Sequence, residues 1–379
     1  MKCSGLNFAT GEPIEISFGD LITGVDSLLA PPAADQDFLS PGWIDLQVNG
    51  FAGVDYNSPD TPHDRIAGSI REMFRTGVTR FFPTVITGAP EAMRGALRNL
   101  AGARESIPEG PAMEAFHLEG PYISPDDGPR GAHPARWVRP PDLDEFHRFQ
   151  DVAGGNIRLV TLAPEWPDAP RFIENLVREG VVVSIGHTNA GAVEIAAAAS
   201  AGATLSTHLG NAAHPTLPRK TNYIWDQLAE DRLAASFIVD GIHLSPSFLN
   251  VALRAKGLDR SILITDAVMP AGCTPGPFRL GQIDVQLHAD GSVRLRGGTR
   301  LAGSALQMDH AIQNVMDLAR LNLRDAVTLA TRNPARIGRI PGRQRGLNPG
   351  ERADLVRFRH DEGKIEVRET WLSGRQVYP

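Results

Sequence analysis

The sequence reads as an α/β protein, a (β/α)8 TIM-like barrel with a small β-sandwich domain formed from both termini. Three observations predict this. Eight short, β-rich apolar runs recur through the middle of the chain, segments of helical period separate them, and the two ends lack that alternation. Such alternation implies a parallel sheet, and eight units favour closure into a barrel. An open doubly wound sheet would show the same pattern.

In chain order the strand candidates are WIDLQV (43–48), RFFPTVI (80–86), AMEAFHL (112–118), IRLVTLA (157–163), VVVSIG (181–186), ATLSTH (203–208), AASFIVD (234–240) and SILITDA (261–267). Each is too short and too β-rich for a helix. Between them, 63–76 places Ile66, Ile70, Met73 and Phe74 on one face and stops at Gly77; 170–179 and 189–201 stop likewise at Gly180 and Gly202. Residues 1–40 and 336–379 carry strand-like pieces, ADLVRFRH and KIEVRETWLSGRQVYP among them. Chain termini usually lie close together, so these two pieces are expected to form one small domain beside a barrel of residues 41–335. DVQLHADGSVRLRGG (284–298) reads as a hairpin with Asp-Gly at its turn.

The composition bounds the rest. With 379 residues, the chain accommodates a barrel of ~250 residues and a small appended domain. A net charge of −6 offers no footprint for a phosphate backbone, so no nucleic-acid partner is expected. Cys3 and Cys273 cannot make a disulfide framework. The first twenty residues lack the apolar run of a secretory leader, and the alanine-rich stretch 196–203 is too short to span a bilayer. A cytoplasmic enzyme without a membrane partner is the expectation.

Catalytic side chains of such barrels lie at the C-terminal strand ends. Read in order, those ends carry Gln47 and Asn49, then His117 and Glu119, His187, His208, Asp240 with His243, and Asp266. Glu119, His187 and His208 form a carboxylate-plus-two-histidine set that suits a divalent transition metal with one position left for water. A single histidine at a strand end is more often a hydrogen-bonded core residue; three such residues on three strand ends, together with Asp266 on a fourth, outweigh that reading. Asp266 is the candidate acid and base, with a helix N-cap as its alternative role. His117 shares a face with Glu119 and is a candidate supporting residue. His133 lies in a glycine- and proline-rich loop able to close over the site, and His214 follows the sixth strand closely.

On these residues the chain resembles the N-acetylglucosamine-6-phosphate deacetylase family of the amidohydrolase superfamily. The similar segments run in order: PGWIDLQVNGFAG (41–53), FFPTVIT (81–87), HLEGPYIS (117–124), RGAHP (130–134), SIGHTNA (184–190), STHLGNA (206–212), VDGIH (239–243), ITDA (264–267), LAGSALQMD (301–309), TRNPAR (331–336) and RADLVRF (352–358). The resemblance implies that Glu119, His187 and His208 bind the metal and that Asp266 is the catalytic acid/base. It further implies that His133 contacts the acetyl carbonyl and that Asn211, Ala212 and His243 hold the sugar. Many amidohydrolases carry H-x-H on the first strand for a second metal. Gln47 and Asn49 stand there instead, and neutral amides are poor ligands, so one divalent transition metal per subunit is expected. Zinc leads, with iron, cobalt, nickel and manganese also compatible. The family also implies a homodimer.

One loop departs from the pattern. The family usually has an aromatic within THLxNA and then an Arg-Glu-Pro-Gly stretch whose arginine reaches the phosphate in the neighbouring subunit. Here Gly210 is followed by HPTLPRKTNYIWDQLA (214–229). Arg219 and Lys220 are the candidate replacement cations, a solvated loop pair being the alternative. Tyr223 and Trp225 could cover a sugar face or pack in the core. The expected reaction is hydrolysis of the N-acetyl group of N-acetylglucosamine 6-phosphate. A non-phosphorylated or galacto-configured sugar, another amidohydrolase substrate and a non-catalytic barrel stand as alternatives.

Overall fold

A computed structural model describes residues 1–29, 37–280, 283–361 and 363–379. Residues 30–36 and 362 of the expected terminal pieces, and residues 281 and 282 before the hairpin, lie outside the described residues. The eight expected strands form one parallel sheet: β1 (Trp43–Val48), β2 (Val78–Ile86), β3 (Phe116–Glu119), β4 (Ile157–Leu162), β5 (Val182–Ile185), β6 (Leu205–Ser206), β7 (Ala234–Ile238) and β8 (Ser261–Ile264). They are laid down in chain order, each beside its predecessor. The ring closes where Val48 bridges Ala267 in parallel, with the Asn49 amide donating to the Ala267 carbonyl at 2.7 Å. This is the barrel, and the open-sheet alternative is excluded.

Two strand ends differ from expectation in a way that shapes the site. β3 starts later than the sequence suggests, because residues 110–112 form a 3-10 turn, and it runs on to include Glu119. β6 shrinks to two residues because the backbone turns away at His208, where φ is 32°. The helices match their periodic faces: His63–Phe74 buries Ile66, Ile70, Met73 and Phe74, and Ala169–Arg178 and Ala192–Ala201 follow β4 and β5.

The terminal pieces join in one seven-stranded ladder. Its order is Arg375–Tyr378, Lys364–Leu372, Leu355–Asp361, Phe38–Pro41, Lys2–Asn7, Pro13–Phe18, Ile22–Ser27. Phe18 and Trp371 stand four strand steps apart, roughly 19 Å in a flat sheet. Their rings lie 6.1 Å apart, edge to face. The ladder therefore bends over a core of Ile16, Phe18, Leu39, Leu355 and Trp371. The two layers of the expected sandwich are the two halves of one continuous sheet. The hairpin at 284–298 belongs to a four-stranded antiparallel sheet spanning Gly276 to Ser304, inserted after β8.

The bent sheet is pinned beneath the barrel, at the end opposite the strand C-termini, by a buried ionic knot. Arg80, near the start of β2, gives Asp354 two hydrogen bonds of 2.8 and 3.1 Å, and Arg343 adds a third at 2.5 Å. Burial works to raise the Asp354 carboxyl, but Arg343 and Arg80 outweigh it and hold it down at about 2. Removing the carboxylate leaves two buried guanidinium groups facing each other. Asp354→Ala is expected to destabilise the fold by roughly 3–5 kcal/mol, measured by denaturant unfolding. Because the folded pKa is depressed, Asp354 contributes its stability above the ordinary carboxylate range. That contribution is lost as pH falls through about 2. An unchanged unfolding midpoint would remove the knot from the stability account.

Candidate active site

The C-terminal strand ends surround a cavity of about 710 Å³. Its wall includes Asn49, Glu119, His133, His187, His208, Asn211, Ala212, His243 and Asp266, and apolar side chains such as Val85, Met93 and Trp137. Almost all the residues expected from the sequence are thus brought together.

At the floor, Glu119 Oε1 lies 3.0 Å from His208 Nε2 and 3.3 Å from His187 Nε2, and those two nitrogens are 3.0 Å apart. The His187 Nδ1 faces the Pro129 carbonyl at 2.9 Å. A proton there makes Nε2 the lone-pair nitrogen, the form a metal requires. Three donor atoms converging at this spacing fit a divalent transition metal. Glu119, His133 and His187 also bring one donor each within 4.8 Å. His133 Nε2 lies 4.0 Å from the Glu119 carboxylate, against 3.0 Å for His208 Nε2. Burial opposes ionisation of Glu119, yet the two imidazoles hold its carboxyl well below the usual range.

Asp266 stands beside this cluster. Its Oδ1 accepts from the side-chain amides of Asn49 at 2.7 Å and Gln47 at 3.0 Å, while Gln47 also donates to Glu119 Oε1 at 2.7 Å. The first-strand amides therefore face two carboxylates as hydrogen-bond donors. Burial, then the charge of Glu119, pushes the Asp266 carboxyl up to about 6. The N-cap alternative finds no support, since no helix starts at Asp266.

His187, His208, Ala212 and Asp266 all have left-handed backbones, with φ of 51°, 32°, 47° and 49°. Such conformations cost about 1–3 kcal/mol each in a residue with a side chain and cluster where geometry serves function. His187, His208 and Asp266 each stand two residues past the end of their strand, where the left-handed turn takes the chain out of the strand direction.

His133 is buried, its Nδ1 2.8 Å from the Thr87 hydroxyl and its ring 4.3 Å from that of His187. Burial, then the charge of His187, pulls it down to about 3, so it is neutral at physiological pH. His243 Nδ1 meets Asp240 Oδ2 at 2.6 Å, which orients the ring at the cavity wall. Asn211 is tied back to the His208 carbonyl at 3.0 Å. His117 sits a layer lower, its ring nitrogens directed to Thr161 and Thr84 rather than to the Glu119 cluster. His214 bonds Tyr223, whose ring is buried in packing, while Trp225 is half exposed on the outer face.

Arg219 and Lys220 are exposed and form no part of this cavity wall. Gly210 has a physical explanation: with φ of 98°, a Cβ there would lie 2.6 Å from the Phe248 ring. Phe248 leaves no room for an aromatic at this position. Three features went unread in the sequence. One is the Thr87 contact to His133. Another is Asp45, on the same strand face as Gln47, which period-two alternation could have flagged. The third is Arg300, which clasps Asp127 through two bonds of 3.0 and 3.1 Å across the rim.

A parallel barrel with carboxylate and imidazole side chains converging at its mouth defines a class, and the profile of the Amidohydrolase family matches residues 38–377. N-acetylglucosamine-6-phosphate deacetylase of Bacillus subtilis (strain 168) is 34% identical, over 86% of this chain and 81% of its own length. N-acetylgalactosamine-6-phosphate deacetylase of Escherichia coli O157:H7 is 32% identical over 90% and 88%. A mutant N-acetyl-D-glucosamine-6-phosphate deacetylase from Mycobacterium smegmatis, solved in complex with N-acetyl-D-glucosamine-6-phosphate, superposes with a TM-score of 0.89. It is 30% identical, with 99% of this chain and 98% of that one covered. The chain belongs to the amidohydrolase family, in its N-acetylglucosamine-6-phosphate deacetylase branch.

Proposed function

We propose that this protein hydrolyses the N-acetyl group of an amino sugar, converting N-acetylglucosamine 6-phosphate and water to glucosamine 6-phosphate and acetate. The observation that carries the reading is the convergence of Glu119, His187 and His208 beside an amide-anchored Asp266 at the base of one cavity. A divalent transition metal held by those three residues, zinc foremost, supplies Lewis acidity towards water and the carbonyl oxygen. Asp266 carries the proton. With Oδ1 occupied by the two amides, Oδ2 takes the proton from the attacking water and returns it to the departing amine. His133, in the tautomer where the Thr87 hydroxyl donates to Nδ1, presents its Nε2 proton to the acetyl oxygen. Asn211, Ala212 and His243 hold the sugar. Gln47 and Asn49 occupy the second-metal positions as donors, which supports a single ion.

Arg219 and Lys220, exposed on their loop, are assigned to the phosphate of a substrate in the neighbouring subunit of a homodimer. One observation favours a second reading, an unphosphorylated sugar. Among the described cavity residues Arg300 is the one Lys or Arg, and it is already paired with Asp127. Acetate release from N-acetylglucosamine and N-acetylgalactosamine, each with and without the 6-phosphate, decides. The expected result is a kcat/KM highest for N-acetylglucosamine 6-phosphate and lowered by Arg219→Ala. Preference for the unphosphorylated sugars would refute the phosphate assignment.

In the described residues no helix is long and apolar enough to cross a membrane.

A further inference from the structure

Asp266 lies at the seam where the barrel closes. β8 ends at Ile264, and β1 meets the residues beyond it through one bridge and a few backbone bonds, including the Asp266 amide to the Gln47 carbonyl at 3.0 Å. A seam with so little ladder must fix the left-handed turn at Asp266 by other means. Directly behind it is a second carboxylate, Asp45, 1% exposed and absent from the cavity wall.

The hydrogen bonds of Asp45 enclose Asp266. Its Oδ2 accepts from the Thr265 hydroxyl at 2.6 Å, and both oxygens receive the Thr265 amide at 3.3 Å. Its Oδ1 also accepts from the Gln47 amide at 3.2 Å. The Thr265 hydroxyl in turn accepts from the Ala267 amide at 3.1 Å, so one oxygen spans Asp266 from the residue before it to the residue after. Gln47, whose backbone Asp45 holds, is the residue whose side chain donates to Asp266 Oδ1. A fully buried carboxylate is costly to desolvate, and this one directs all its bonds to the two neighbours that define where Asp266 points.

We propose that Asp45 is a positioning residue for the hydrolysis: through Thr265 it holds the backbone turn at Asp266, and through Gln47 the amide that anchors Oδ1, leaving Oδ2 aimed at the reacting amide. The inference rests on the assignment of Asp266 as the proton carrier. Asp45→Asn turns an amide donor towards donors already present, so the turn at Asp266 relaxes. In the metal-loaded enzyme with N-acetylglucosamine 6-phosphate, kcat is expected to fall roughly 10–100-fold, as for other supporting partners of a site, with KM and metal stoichiometry nearly unchanged. In an Asp266→Asn background the same substitution is expected to add no further loss.

Full multiplicative loss in the double variant, a matching loss of metal, or a wild-type kcat would each overturn the proposal. If Asp45→Asn does not fold, the Thr265 pair carries the comparison. Thr265→Ser keeps the hydroxyl and is expected to stay near wild type, whereas Thr265→Val is expected to lose rate; equal rates overturn the proposal. If Asp266→Asn alone keeps its turnover, the assignment of Asp266 fails and the inference falls with it.

Discussion

Asp266→Asn is expected to lower kcat by roughly 10²–10⁴-fold, the range for loss of a positioned acid/base group. Asparagine keeps the shape of the side chain and tolerates a left-handed backbone, so a φ of 49° is no obstacle to folding. The variant should therefore bind metal at the wild-type ratio while losing turnover. The wild-type pH profile reports on the same group. Burial and the charge of Glu119 raise its pKa to about 6, and a base must be ionised to act, so kcat/KM falls as pH drops through the acid limb. A bound cation opposes both influences, which places the limb of the metal-loaded enzyme at or below that value. Near-normal turnover in Asp266→Asn would remove the residue from the mechanism.

Loss of any one of the three proposed metal ligands is expected to act more strongly still. Residues that merely support a ligand are worth about 10–100-fold in affinity or activity, so deleting a ligand should cost at least the upper figure. Glu119→Gln, His187→Ala and His208→Ala are each expected to bind less than one equivalent of metal and to lose nearly all activity. Chelation of the wild type should reproduce the loss, and added divalent ion should reverse it. The thermal midpoint should fall on metal removal, because the ion binds the folded arrangement and not the unfolded chain. Metal analysis alongside turnover gives the check: a metal-free protein with undiminished rate would sink the assignment.

Much of this was legible because barrels place chemistry at predictable points in the sequence. The eight strands are visible as short β-rich runs, and the polar residues at their ends include Glu119, His187, His208 and Asp266, which the structure brings to one cavity. The limits were local. The length of β6 depends on where the backbone of His208 turns, and the His208 amide there donates to the Ser236 hydroxyl of β7 at 2.8 Å, 28 residues away. Contacts between distant segments were also hidden. Thr87 is 46 residues from His133, and Asp45 is 220 from Thr265, and nothing in either segment announces the other. Gly210 shows the same limit from the other side, since its reason lies in the Phe248 ring on a later helix.

The continuous seven-stranded sheet has a consequence for how the protein is made. Strand Phe38–Pro41 finds one neighbour, Lys2–Asn7, early in the chain, but its other edge pairs with Leu355–Asp361. At ribosomal speeds of ~5–20 residues per second, residue 355 follows residue 41 by roughly 15–60 s. During that interval the nascent N-terminal sheet presents an open edge, the kind of surface that recruits a foreign strand. Synthesis of the last strands closes that edge, so truncations at the C-terminus should aggregate before they fail in catalysis.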